Sequence, residues 1–234
     1  FVDETQDLTA AAVTALNELS RRSMVFAGDF DQSLYCFQNP FTRGGLNFQG
    51  RTKILRTNFR NTVQIHDFAE SFRRAGGGRI DTENLPFPFR EGPSPEVYRS
   101  SSVDELQGLL IGKLKIYLEE LAYEPETVCV LVPGNTALEE TLPLLEEAGI
   151  PVALIKEKSF QFDSEGRVRL GTLHSSKGLD FSVVLLFLPS IERKELYDEE
   201  QTELLLRNLI YVGMTRAMDC LDLFVADEVE LEGL

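Results

Sequence analysis

No stretch of this chain approaches about 18 uninterrupted apolar residues, the length a helix needs to cross a bilayer, so no membrane partner is expected. The first residues, FVDETQD, read as the end of a strand and lack the form of a signal peptide, so the expected location is the cytoplasm. Cysteine is scarce. Cys36, Cys129 and Cys220 lie far apart in apolar contexts, without metal-ligand spacing, and read as reduced core residues of a cytosolic protein. Basic charge is also short: 23 Lys and Arg against 38 Asp and Glu give a formal net charge of −15. This argues against a surface that binds nucleic acid all over, but leaves room for a small basic groove. Internal repeats and low-complexity tracts are absent.

The 234 residues are 43% apolar, enough for one large domain or one and a half. Phe1–Asp3 and MVFAG read as strands around a helical stripe of Leu8, Ala12, Leu16 and Leu19. KILRTNF is a candidate strand. A helix follows through Ile65, Phe68, Ala69 and Phe72, with Asn61 as its expected cap and Gly76–Gly78 as its stop. Residues Arg79 to Pro95 read as a connector. SVDE at Ser102–Glu105 has capping-box spacing, ahead of a long helix through Val103, Leu106, Leu110, Tyr117 and Leu121. TVCVLV, PVALI, RVRLGT and SVVLLFL read as strands. Asn135 opens a helix to Gly149, with a kink expected at Pro143. A helix from about Glu199 to Met218 and a last strand, CLDLFV, close the chain. Strands alternating with helices predict an α/β fold with a mainly parallel sheet.

The adjacent acids Asp3 and Glu4 follow the first strand. In a nucleotide hydrolase such a pair binds Mg²⁺ with the first acid and orients or deprotonates water with the second. The glycine-rich loop that usually cradles the phosphates, ending in Gly-Lys-Ser/Thr, is missing. LIGKLK has Leu114 where a hydroxyl belongs, and AGGGRI has no lysine. AGDFDQSLYCF places Gln32 after a strand-ending glycine turn, where its amide can contact a terminal phosphate. Tyr35 and Phe37 alternate, so both rings can face one side as stacking platforms for bases, although taken alone the plainer reading is core. Arg60 in LRTNFRN is by itself an ordinary surface arginine. GTLHSSKGLDF gathers Thr172, His174, Ser175, Ser176 and Lys177 in one loop, which suits phosphate-backbone contacts or a plain polar turn. RNLIYVGMTRA sets Arg207 and Arg216 on one expected helix, facing different sides.

The series DETQD, GDFDQSLYCF, LRTNFRN, TLHSSKGLDFSVVLL and RNLIYVGMTRA resembles motifs II to VI of the UvrD/Rep-type superfamily 1 DNA helicases, from Phe1 to about Val225. GDFDQSLY and HSSKGLDF resemble the 3′→5′ branch. The resemblance implies a RecA-like fold. Residues 1–50 would be the tail of a first RecA-like lobe, and residues 51–234 a second RecA-like lobe with a parallel sheet flanked by helices. It implies that the chain is the C-terminal part of a longer helicase whose phosphate loop lies upstream. The parent would use ATP and Mg²⁺ between two lobes to unwind duplex DNA 3′→5′ from a single strand, with this part alone inactive.

By the same resemblance, Asp3 is the Mg²⁺ ligand, Glu4 the catalytic base and Gln32 the γ-phosphate sensor. Arg60 and Arg216 stabilise the transferring phosphate. Asp180, with Gly178 just before it, stands where the family has a glutamate linked to the nucleotide ribose. Tyr35, Phe37, Thr172, His174 and Lys177 fall in DNA-contacting motifs. The chain departs from the family at QNPF after Phe37, where Arg-Gly-Ala is common, and in the short stretch between Arg60 and Thr172, which leaves no room for a large helical insert. A catalytic Arg216 is expected to point into a cleft away from acids, and a structural one to pair with an acid. The alternative is a non-catalytic helicase-like module for a protein partner, with KELYDEEQTELL as a docking run. A helicase subunit of a nuclease complex is a third reading. Repair, recombination, plasmid replication and defence against phage are the settings open to such a parent.

Overall fold

The computed structural model describes residues 1–20, 23–28, 50–53, 55, 57–76, 87–155, 165–191 and 199–234. The chain divides into two compact units, Phe1–Leu55 and Arg56–Leu234.

In the first unit the expected strands reduce to one parallel bridge, Val2 to Phe26. The Val2 N–H donates to Val25 O at 2.9 Å and the Ala27 N–H to Val2 O at 2.8 Å. Helix α1 (Ala10–Leu19) is capped by Thr9, whose hydroxyl accepts from the Ala12 N–H at 3.2 Å. Its buried residue is Val13, whereas Leu19, placed on the expected apolar stripe, is exposed. Apolar spacing identified the helix but not the face that packs.

The second unit is built on a six-stranded sheet in the order β3-β8-β7-β4-β6-β5, every pair parallel. Its strands are β3 (Glu96–Ser100), β4 (Val128–Val132), β5 (Val152–Leu154), β6 (Val168–Thr172), β7 (Phe181–Leu188) and β8 (Ala217–Ala226). Every residue of β4 is buried, as are all of β7 except Ser182. Strands covered on both faces carry continuous apolar runs, which is why VCVLV and VVLLFL are not alternating. Helices α3 (Val103–Lys115), α4 (Asn135–Glu147) and α5 (Glu199–Met214) flank this sheet, and α2 (Val63–Ala75) packs on α5. Two further strands, β1 (Thr57–Thr62) and β2 (Phe87–Arg90), form a separate parallel ribbon. Among the described residues no helix is long and apolar enough to cross a membrane. Cys129 and Cys220 are buried free thiols; Cys36 lies outside the described residues.

Several boundaries differ from the sequence expectation. The cap of α2 is Thr62, whose hydroxyl accepts from the Ile65 N–H at 3.3 Å; Asn61 has another task. The expected connector contains β2, because parallel pairing with β1 overrides its proline content. The capping box at Ser102 is modified: Ser102 accepts from the Glu105 N–H at 3.3 Å, while Glu105 accepts from the Ser100 hydroxyl, which in turn accepts from the Ser102 N–H at 3.0 Å. Helix α4 runs through Pro143. Helix α5 stops at Met214, and β8 begins at Ala217, so Met218 belongs to a strand.

The long helix ends early for a visible reason. After Lys115 the backbone widens into a π turn, Ile116–Glu120. That turn aims the Tyr117 hydroxyl at Asp222 on β8, with 2.7 Å between Oη and Oδ2. Asp222 is buried, and Lys113 Nζ lies 3.7 Å from the same oxygen. Burial pushes the Asp222 carboxyl above the ordinary carboxylate range, against the hydrogen bond from Tyr117 and the charge of Lys113, while nearby Glu96 pushes it further up. The ionised form therefore depends on the tyrosine donor. Tyr117→Phe is expected to destabilise the fold at pH 7 by about 1–3 kcal/mol, the cost of an unmet buried acceptor. The cost should shrink towards pH 4, where Asp222 holds its own proton. Urea denaturation at both pH values checks this, and an equal cost at both would contradict the assignment.

Candidate functional site

Three separate segments of the second unit meet at Asp180. Arg60 arrives on β1, Asp180 closes the loop between β6 and β7, and Arg216 lies in the turn between α5 and β8. Arg60 Nε is 2.8 Å from Asp180 Oδ1, and Arg216 Nη1 is 3.9 Å from the same oxygen. The expectation that Arg216 rides a helix is corrected: α5 ends two residues earlier. Arg216 is 2% exposed. Its Nε donates to Val212 O at 3.1 Å, Nη1 to Leu179 O at 3.5 Å and Nη2 to Thr215 Oγ1 at 3.3 Å. The free, cleft-directed arginine expected for a catalytic role is not what the structure contains. Arg216 is buried and paired with an acid. Arg60 and Asp180 differ from it, with side chains 37% exposed each.

A residue that sequence reasoning had assigned elsewhere brings Arg60 to this place. The buried Asn61 amide donates to Thr215 O at 3.1 Å and to Ala217 O at 2.6 Å, and its oxygen accepts from Asn58 Nδ2 at 2.9 Å. Arg90 of β2 completes the anchor, donating to Met218 O, to Arg60 O and to Asp219. The ribbon is thereby tied to the start of β8, beside Arg216. Arg207, on α5, is structural: it donates to Glu203 and to Glu232 O and lies over the Phe72 ring.

The loop Thr172–Asp180 begins in a different setting. Thr172 and His174 line a cleft of about 340 Å³ with Pro133, Gly134 and Asn135 on one side and Leu205, Leu206 and Leu209 of α5 on the other. The cleft lies at the carboxyl ends of β4 and β6, where open parallel sheets form their crevices. Two of the small donors expected to reach a ligand are engaged within the loop. The Ser175 hydroxyl donates to Thr172 O at 2.9 Å and the Ser176 hydroxyl to Leu173 O at 2.8 Å. Gly178 has φ +78°, a left-handed turn that lets the loop leave the cleft and deliver Asp180. Lys177 is half-buried beside it.

In the first unit Asp3 and Glu4 are both exposed. The Glu4 N–H donates to Asp3 Oδ1 at 2.9 Å, and the Glu4 carboxylate accepts from the Gln6 amide. Glu4 has φ +52°, a left-handed conformation unusual for a non-glycine residue and one that recurs at functional sites. Gln32, Tyr35 and Phe37 lie outside the described residues.

The chain is similar to several known proteins. Residues 157–228 match the UvrD-like helicase C-terminal domain family. A putative ATP-dependent DNA helicase of Acanthamoeba polyphaga mimivirus is 25% identical over 236 residues, covering 93% of this chain and 33% of that protein. The ATP-dependent DNA helicase PcrA of Leuconostoc citreum is 25% identical over 170 residues, covering 68% of this chain and 22% of the relative. The chain thus spans about a third and about a fifth of these relatives. The C-terminal domain of a possible DNA helicase from Lactobacillus plantarum WCFS1 superposes with a TM-score of 0.51 at 21% identity, over 73% of this chain and 88% of that one, and shares the fold. Residues 157–228 are thus similar to a UvrD-like helicase C-terminal domain, and the UvrD/Rep-type resemblance of the motif series is supported by that match and by the likeness to PcrA.

Asn61→Ala would leave the Thr215 and Ala217 carbonyls short of their shared donor. The expected cost is about 1–3 kcal/mol in chemical denaturation. Asn61→Asp, which keeps the shape but not the donor, should cost at least as much. A fully stable Asn61→Asp variant would refute the anchoring role.

Proposed function

We propose that this chain is the C-terminal part of an ATP-dependent DNA helicase that translocates 3′→5′ along single-stranded DNA and unwinds the duplex ahead. The observation that supports the reading most is the convergence of Arg60, Asp180 and Arg216, from three motifs, on one place. Arg60 and Arg216 would stabilise the phosphate charge that develops as the γ-phosphoryl is transferred. Arginine suits this because its planar fork can engage two oxygens together. Residues 1–50 would belong to a first RecA-like lobe and residues 51–234 to a second. Glu4, oriented by Gln6, would accept the proton of the attacking water, and Gln32 would sense the γ-phosphate.

The donors present fit Mg²⁺. Asp3 is an exposed carboxylate with one oxygen steadied by the Glu4 N–H, and Mg²⁺ is commonly held by one or two carboxylates together with substrate phosphates. When bound there, the ion would neutralise phosphate charge. Thr172, His174 and Lys177 would contact DNA at the cleft, with Tyr35 and Phe37 stacking on bases. The cytoplasm is the proposed location and DNA repair a proposed setting, alongside protein partners there.

A second reading, a non-catalytic helicase-like module, is favoured by one observation: Arg216 is buried and acid-paired. An Arg216 substitution would disturb the fold and the chemistry together, so Arg60 is the better probe. In the full-length protein, Arg60→Lys should keep the melting temperature and lower kcat by about 10³–10⁵-fold, the worth of an arginine finger in related chemistry. ATP affinity should change much less, because the contact strengthens in the transition state. The 234-residue chain alone should show no DNA-stimulated ATP turnover in a steady-state assay, since it has no phosphate loop. Wild-type kcat in Arg60→Lys would remove Arg60 from the chemistry, a full-length protein without ATP turnover would favour the non-catalytic module, and robust turnover by the chain alone would rule out its inactivity.

A further inference from the structure

We propose that Asp180 is a positioning residue. Its carboxylate sets Arg60 beside Arg216 as a two-guanidinium site for the phosphate chain of a nucleoside triphosphate, and it does not read the ribose. This rests on the ATP-dependent reading above.

The two arginines are held in different ways. Arg216 is fixed by its own turn through Val212 O, Leu179 O and Thr215 Oγ1, and would keep its place without Asp180. The Arg60 backbone is equally fixed, since its N–H donates to Asn58 Oδ1 at 2.9 Å and its carbonyl accepts from Arg90. Its guanidinium is not. Among the described residues it has one ion partner, Asp180, at 2.8 Å. A long side chain anchored only at its root samples many rotamers, so the carboxylate decides where the guanidinium stands.

Charge gives the same answer. Two guanidiniums brought to one spot repel each other, and an acid between them offsets that repulsion. The oxygen nearest Arg60 is also the one nearest Arg216, at 2.8 and 3.9 Å. Two cations and one anion leave a net charge of +1, which still attracts phosphate. Oδ1 faces both guanidiniums, so a ribose hydroxyl would have to use Oδ2, and the nucleotide series below separates that role from positioning. A half-exposed ion pair adds little to stability, so the pairing is better explained by geometry than by holding the fold.

The test is a double-mutant cycle in the full-length protein, with ATP, 2′-deoxyATP and 3′-deoxyATP as substrates and melting temperature as the control. Asp180→Asn should keep the melting temperature, lower kcat roughly tenfold and leave KM nearly unchanged, equally for all three nucleotides. In an Arg60→Ala background the same substitution should have almost no further effect, because coupled residues are non-additive. In ¹⁵N-edited NMR spectra of the 234-residue chain, the Arg60 Nε–H signal should move in Asp180→Asn while that of Arg216, bonded to Val212 O, stays. Asp180→Glu, which keeps the charge, should retain most of kcat, and Asp180→Ala takes the place of Asp180→Asn in the cycle if the latter proves unstable. A KM defect that disappears with 3′-deoxyATP would assign Asp180 to the ribose and overturn the proposal. So would additive losses with Arg60→Ala, or an unmoved Arg60 signal. If the wild-type full-length protein hydrolyses no ATP, the functional reading itself fails and this proposal with it. Turnover with an additive cycle sinks Asp180 alone.

Discussion

The place of Arg60 depends on one buried amide. Asn61 donates to two main-chain carbonyls at the head of β8, and those two bonds join the β1–β2 ribbon to the main sheet. Without them the ribbon would keep its internal pairing but rely on Arg90 for its register against β8. Arg60 is the neighbour of Asn61, so any slip of the ribbon carries Arg60 away from Asp180 and Arg216. Buried carbonyls are costly to leave unmet, which makes this attachment specific. A purely apolar contact could slide; a bifurcated amide donor cannot.

The sheet order explains why the remaining site residues gather without further devices. β4 leaves through α4 towards β5, whereas β7 leaves through α5 towards β8. The two connections diverge between neighbouring strands, and a crevice opens where they part. Thr172 and His174 line that crevice, and the loop that carries them returns to the sheet at Asp180. One loop therefore touches both the cleft proposed for DNA and the arginines proposed for phosphate. A shift of this loop would be felt at both ends, which is the physical requirement for coupling a strand to a nucleotide.

The central strands were legible in the sequence because burial on both faces leaves unbroken apolar runs, as in VCVLV and VVLLFL. β2 was hidden because FPFR contains a proline and gains its strand geometry only from pairing with β1. The end of α5 was overrun since Thr215 and Arg216 carry no glycine or proline to mark a stop. The π turn at Tyr117 likewise has no local signature; its cause is Asp222, over a hundred positions away in the chain. Asn61 was read as a cap because its type and position suit one, while its partners lie 154 and 156 residues further on. Motif order singled out Arg60, Asp180 and Arg216 as candidates, and the structure brings these three together. Their pairing was not legible, because spacing along a chain carries no information on which acid faces which base.

Arg216 shows what that difference implies. Its guanidinium is enclosed by the carbonyls of its own turn and by the Asp180 segment, so its charge is partly neutralised before any ligand arrives. Arg60 is the more exposed of the two and the one whose orientation depends on a single carboxylate. If both act on phosphate, their contributions are unequal in kind. Arg216 supplies a fixed positive field from a rigid, water-poor position, as preorganised dipoles do. Arg60 supplies the adjustable contact, free to exchange a carboxylate for a phosphate oxygen when the pair closes on its ligand. A fixed charge beside a movable one allows the site to be rigid in its electrostatics and still release product, because only one ion pair has to break and reform.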